Sequence, residues 1–200
     1  LERVGDLSAV FGGDAVCCSN WISTLGLEDA FHRLGEADLP RVPFVFDPRD
    51  IVGSDPEEIE ALHDALAALQ ETFDVVYNGN RGEVRTTAEP LSRAAENDLD
   101  RLAAIREETE ITAAVMHAKE EAAVATPDGR VSVENCRVAD PTRHTGGGDR
   151  FTGGVAHALA CGWEWETALA CGNACASYYV ETGDTGTVED LLAFTRNRAD

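Results

Sequence analysis

Thr145-Gly146-Gly147-Gly148-Asp149-Arg150-Phe151, running on into Thr152-Gly153-Gly154-Val155-Ala156-His157-Ala158-Leu159, is the stretch on which the reading of this chain turns. Three glycines end on an acid, and the acid sits where a helix should begin. Glycine lets the backbone approach a ligand closely and take positive φ. The first turn of a helix leaves N–H groups unpaired and carries partial positive charge, which suits an anion. A carboxylate beside that anion is placed to take a proton from an attacking hydroxyl. Those are the parts that phosphoryl transfer to an alcohol needs. The same residues also fit a glycine turn followed by an Asp N-cap, so their surroundings have to decide.

Upstream, short apolar runs alternate with amphipathic ones. Residues 14–19 read as a buried strand. Residues 24–36 read as a helix, with Leu27, Phe31 and Leu34 at helical spacing. Residues 43–47 are a second strand, stopped by Pro48. Asp55-Pro56-Glu57-Glu58 is a helix start, and Ile59, Leu62, Leu66 and Leu69 supply its apolar stripe. A third strand is expected over 73–78, a helix over 97–108 and a fourth strand over 111–116. Strands at 122–126 and 130–135 follow, joined by Pro127-Asp128-Gly129, whose Asp-Gly pair signals a hairpin. The last third reads as helices at 150–161, 164–180 and 187–198, with Gly162 as a C-cap. The fold class is therefore α/β: a three-layer α/β/α sandwich on a mostly parallel sheet with an antiparallel hairpin, in one domain over residues 1–200. Ligands of open α/β sheets bind at the carboxyl ends of the strands. The 146–149 loop, between the last strand and a helix, has that placement.

Composition narrows the function classes. Thirty-seven acidic residues stand against 16 basic ones, for a formal net charge of −21, and Lys119 is the only lysine. Phosphate backbones require clustered Lys and Arg, so nucleic acid is not an expected partner. The acids are dispersed, as a solvated surface in high-salt cytoplasm would have them; a halophilic source is expected, an ordinary acidic protein being the alternative. No apolar run approaches the ~18 residues of a membrane span, and no basic segment leads into an apolar one as in a signal peptide. The chain opens on Leu1, which suggests a piece of something longer. None of the six cysteines forms a C-x-x-C pair, which argues against zinc. Cys171 and Cys175 read as small buried thiols on a helix, and the compartment as reducing and cytoplasmic.

Gly146-Gly147-Gly148-Asp149, with Phe151 and Gly153-Gly154 after it, resembles the second signature of the PfkB, or ribokinase-like, carbohydrate kinases. The run from Ala158 through Gly162-Trp163 to Gly172-Asn173-Ala174-Cys175-Ala176 has that family's helix-turn-helix rhythm. Asn80-Arg81-Gly82-Glu83 matches its N-x-x-E element, and Phe46-Asp47-Pro48-Arg49 resembles its strand-ending Asp-Pro segment. The resemblance covers roughly residues 14–182.

It implies a phosphotransferase that moves the terminal phosphoryl group of ATP to a hydroxyl of a sugar or sugar-like alcohol. Asp149 would be the general base, and the backbone N–H groups of Gly146, Gly147 and Gly148 the anion hole. Asn80 and Glu83 would organise hydrated Mg²⁺ and the phosphates, Glu83 from the metal side. Thr145, His117 and Asn173 would meet the nucleotide, Asn173 near adenine. A sugar or nucleoside is the expected small-molecule partner, with a homodimer as the expected assembly and no membrane. Plainer readings compete: Glu83 as one more surface acid, Asn173 as an ordinary helix polar residue, His117 as a structural strand-end histidine, His144 as a solvated loop histidine.

Three departures from the family pattern matter. Arg143 and His144 stand where an acid or Asn and then Thr are usual. Met116-His117-Ala118-Lys119-Glu120-Glu121 replaces the family's T-x-G turn and its glycines, which leaves ADP open as donor, since the ADP-dependent sugar kinases carry His-containing segments there. The family also has about a hundred further residues N-terminal, holding a lid and most of the sugar-binding residues, so this stretch alone is expected to turn over poorly. A non-catalytic nucleotide- or metabolite-binding regulator with the same fold is the alternative class. A dinucleotide-binding oxidoreductase fits poorly, because no G-x-G-x-x-G follows the first strand.

Overall fold

The computed structural model describes residues 6–91 and 95–198. Within them run α1 (Ser8–Phe11), β1 (Val16–Ser19), α2 (Leu27–Gly35), β2 (Pro43–Asp47), α3 (Pro56–Gln70), β3 (Asp74–Asn80), α4 (Arg81–Ala88), α5 (Asp98–Thr109), β4 (Ala113–His117), β5 (Glu121–Thr126), β6 (Gly129–Glu134), α6 (Gly147–Ala160), α7 (Trp165–Thr182) and α8 (Val188–Arg196). The strands form one six-stranded sheet in sequence order. β1 to β4 pair in parallel, and β5 and β6 add an antiparallel hairpin, as the sequence anticipates.

Strand order explains the layering. Parallel crossovers are right-handed, so strands laid down in sequence order send every crossover helix to one face. That face packs α2, α3 and α5 on Phe44, Phe46, Val75, Tyr77, Ala114, Met116, Ala123 and Ala125. The intervening residues Val45, Val76, Ala113, Val115, Ala122 and Val124 point the other way, onto Phe151, Val155 and Leu169 of α6 and α7. The strict alternation along β2 to β5 is the two-residue period of a strand with both faces covered.

α6 and α7 cross closely because glycine faces the contact. A Cβ on Gly154 would come within 2.9 Å of Gly172 Cα, and one on Gly172 within 2.8 Å of the Phe151 ring. This crossing holds the start of α6 over the carboxyl ends of the parallel strands.

Three local details differ from the sequence expectation. α6 begins at Gly147 rather than Arg150, because Gly146, at φ +98°, turns the chain into the helix and two glycines occupy its first turn. Helix propensity penalises those glycines by ~1 kcal/mol each and so hides them. α4 follows β3 with no loop: Asn80 ends the strand and caps the helix. Cys171 and Cys175 are half-buried beside a cleft rather than buried, and the neighbouring Cys175 thiol, as a hydrogen-bond donor, lowers the pKa of Cys171.

Candidate active site

Polar residues terminate the apolar runs of three adjacent parallel strands: Asp47 ends β2, Asn80 ends β3 and His117 ends β4. The amino end of α6 lies across them. A Cβ on Gly148 would sit 3.0 Å from His117 Nε2 and 3.9 Å from Asp47 Oδ2. A side chain at residue 148 would therefore crowd the strand ends, and glycine is what the gap accepts.

The α6 amides divide unevenly. Gly147 N–H donates to the His144 carbonyl at 3.3 Å, and the Gly146 carbonyl takes Arg150 N–H at 3.3 Å. The amides of Gly148 and Asp149 have no main-chain acceptor among the described residues. The amide of Gly146 likewise donates to no main-chain carbonyl among the described residues, so of the three glycine amides expected to hold an anion only that of Gly147 is already engaged. Asp149 is the third residue of α6 and not its N-cap, which is Gly146. Its side chain is 42% exposed and accepts a hydrogen bond from Arg49 Nη2, itself on a side chain 38% exposed.

A relay of side chains fixes the ring of His117. Asn78, fully buried on β3, donates through Nδ2 to Thr152 Oγ1 at 2.8 Å, and Thr152 Oγ1 donates to the Gly148 carbonyl at 3.0 Å. Asn78 Oδ1 is left as an acceptor facing His117 Nδ1 at 3.2 Å. Burial depresses the His117 pKa to about 4. The ring is therefore neutral, its Nδ1 carries the proton, and its Nε2 lone pair faces Gly148.

Asp47 and Glu83 are 5% and 6% exposed. Burial first, and the charge of Glu83 second, push Asp47 up to about 6. Burial likewise raises Glu83. Asn80 Oδ1 accepts from Gly82 N–H at 2.9 Å and Glu83 N–H at 3.1 Å, while Glu83 Oε2 accepts from Asn80 N–H at 2.7 Å. The N-x-x-E element is a reciprocal capping box, and Glu83 is a buried acid rather than a surface one. Among the described residues, no three His, Cys, Asp or Glu side chains converge enough to hold a metal by themselves.

An open cleft of about 660 Å³ extends from the strand ends, lined by His117, Asn135, Gly147, Gly148, Phe151 and Asn173 among others. Asn173 is 2% exposed. Its Nδ2 reaches the carbonyls of Val133 at 3.3 Å and Glu134 at 3.4 Å, and its Oδ1 has no partner. A buried carbonyl oxygen left open on a cleft suits a ligand that brings a donor. Thr145 and His144 are exposed residues ahead of the loop. The structure thus gathers His117 and Gly148 at one end of this cleft, with Asn173 farther along it, while Asp149 lines the neighbouring cleft with Arg150, Gly153 and Gly154. Asn80 and Glu83 sit at the neighbouring strand end and do not line it.

Arg49, Asn78 and Thr152 escape the sequence reading. Asn78 carried a signal of its own, a polar residue inside an otherwise apolar strand. Thr152 and Arg49 carried none, since their partners lie 74 and 100 residues away.

The prokaryotic ketohexokinase family model matches residues 8–197. Ketohexokinase of Haloferax volcanii is 29% identical over 206 residues, an alignment that covers 100% of this chain and 54% of that protein. Ribokinase from Thermotoga maritima superposes with a TM-score of 0.74 at 16% identity, over 98% of this chain and 61% of its own. Aminoimidazole riboside kinase from Salmonella enterica, solved with aminoimidazole riboside and an ATP analogue, superposes at 0.68 and 18% identity, over 90% and 62%. At those identities the superpositions show a shared fold. The chain spans about half the length of the curated relative it matches.

Proposed function

Since the chain belongs to the prokaryotic ketohexokinase family, within the ribokinase-like kinases, we propose that it carries the phosphoryl-transfer centre of a carbohydrate kinase, with ATP as donor and a sugar hydroxyl as acceptor. One observation carries the reading: a solvent-facing carboxylate, Asp149, stands in the first turn of α6 beside two uncapped amides. Asp149 Oδ takes the proton of the attacking hydroxyl. The amides of Gly148 and Asp149 meet the charge on the transferred group, reinforced by the helix dipole.

The residues present fit a nucleotide. Gly148 leaves a cradle that a Cβ would fill, and Asn173 Oδ1 is the unmatched acceptor for an amino group such as that of adenine. His117 Nε2 accepts from a donor on the nucleotide, and Thr145 and Gly146 border its phosphates. Bound Mg²⁺ supplies charge neutralisation to the phosphates. Asn80 and Glu83 orient its waters, and Glu83 and Asp47 give that region its negative charge. The free cysteines suit a reducing, cytoplasmic setting.

The test is MgATP-dependent phosphorylation in molar salt across ketohexoses, ribose and nucleosides, with ADP in place of ATP as a parallel arm. Measurable turnover that needs ATP and one sugar class is the expected result. Slow turnover with nucleotide binding intact is expected of these residues alone, given their 54% coverage of the Haloferax relative. Turnover with ADP but not ATP changes the donor. Nucleotide binding without turnover, even in a protein extended to the relative's length, points instead to a regulator.

A further inference from the structure

A guanidinium on Asp149 Oδ1 leaves only Oδ2 to take a proton and competes for the carboxylate's charge, so proton abstraction is favoured when the contact with Arg49 opens. Both side chains are more than a third exposed, and exposed pairs of this kind contribute little net stability, so opening it is easy. The backbone beneath Arg49 is costly by comparison. Arg49 and the adjacent Asp50 have φ +47° and +39°, a left-handed region that strains non-glycine residues. Arg49 N–H donates to Asp47 Oδ1 at 3.1 Å, which locks the turn beyond β2. The strained turn launches the guanidinium toward α6. Its charge also offsets part of the rise that burial imposes on Asp47 and Glu83. One arginine thus serves the base and the two buried carboxylates of the same site.

An anion at the Gly148 and Asp149 amides would lie beside this guanidinium. A phosphoryl group offers several oxygens in the planar, paired geometry that arginine matches, and more charge than a single carboxylate. We propose that Arg49 is a mobile phosphoryl-binding residue: it rests on Asp149 while the amides of α6 are empty, and moves onto the transferring phosphoryl group when a nucleoside triphosphate binds. The exchange uncovers the base as the phosphate arrives, and it breaks and makes hydrogen bonds only. This rests on the kinase reading above.

The experiment is calorimetric binding to the full chain of two probes with Mg²⁺: the β,γ-imido analogue of ATP, and ADP, which lacks the group Arg49 is to meet. Arg49→Met weakens the triphosphate analogue about tenfold or more, the scale of a charge-assisted hydrogen bond, and leaves ADP within about twofold. Arg49→Lys keeps the charge but not the fork, and falls between. Asp149→Asn releases Arg49 and tightens the analogue; most of that gain disappears in the Arg49→Met/Asp149→Asn double variant. Equal weakening of both nucleotides, an unchanged analogue affinity in Arg49→Met, or a gain that survives in the double variant overturns the proposal and leaves the kinase reading standing. If the unaltered chain binds neither nucleotide, both fall.

Discussion

His117 Nδ1 lies 3.2 Å from Asn78 Oδ1, across adjacent strands and 39 residues apart in sequence. That contact reads out a chain that begins at the Gly148 carbonyl and passes through Thr152 and Asn78. The loop and the histidine at the end of β4 are thereby held in one arrangement. An imidazolium would find no acceptor for its second proton on this relay.

His117 is accordingly expected to remain an Nδ1–H neutral imidazole down to a midpoint of about 4. The stability that its neutral form contributes is complete above the unfolded value of ~6.5 and is lost as pH falls from there toward the folded midpoint. Imidazole ¹⁵N shifts against pH check this directly. A midpoint near 6.5, or the Nε2–H tautomer, contradicts the relay.

Asp47 behaves with the opposite sign. Its folded-state value, near 6, lies above its ordinary one of 3.8. The protonated form is favoured on folding, so its contribution is fully present below 3.8 and lost as pH rises to about 6. Asp47→Asn retains an acceptor for Arg49 N–H and removes the buried charge. Thermal melts should show Asp47→Asn raising Tm at pH 7 and leaving it nearly unchanged at pH 4. An unchanged Tm at pH 7 rules out the buried charge.

Glu83 has two roles that one substitution separates. Glu83→Gln keeps an oxygen for Asn80 N–H and so preserves the capping box, costing stability less than ~1 kcal/mol. It removes the carboxylate proposed to orient the waters of Mg²⁺. The Mg²⁺ concentration needed for half-maximal nucleotide binding should rise several-fold with Tm little changed. If Tm falls and the Mg²⁺ requirement does not move, Glu83 is a cap alone.

Gly148→Ala is the corresponding test of the cradle. Gly148 has a helical backbone inside α6, so alanine there gains helix propensity of ~1 kcal/mol. The added methyl meets His117 Nε2 at 3.0 Å and crowds the strand ends beneath the start of α6. Affinity for a nucleoside triphosphate should drop tenfold or more on the scale of a lost charged hydrogen bond, in a protein whose fold is intact by circular dichroism. Undiminished affinity would place the phosphate elsewhere.

Much of this architecture is legible in the residues. The apolar runs of β2 to β5 and the Asp55-Pro56 helix start appear in the structure within a residue or two of where the sequence puts them. α4 could have been read from Asn80 and Glu83, whose spacing is a capping-box signature, but a helix of eight residues following a strand without a loop gives too little periodicity to stand out. Asp149 is legible because its chemistry and its glycines are contiguous. The residues that tune it are not: Arg49, Asn78 and Thr152 reach the site only through strand pairing and the α6–α7 crossing, which no local pattern encodes. The burial of Asn173 is hidden for the same reason, since α7 mixes small residues and polar ones around its whole circumference.

The central claim, that Asp149 deprotonates the acceptor, is tested most directly by comparing Asp149→Asn with the unaltered protein in single-turnover phosphoryl transfer and in nucleotide binding. The account predicts a chemical step slowed by about 10²–10⁴, with MgATP bound at least as tightly as before. A chemical step that proceeds at the original rate without this carboxylate would contradict it.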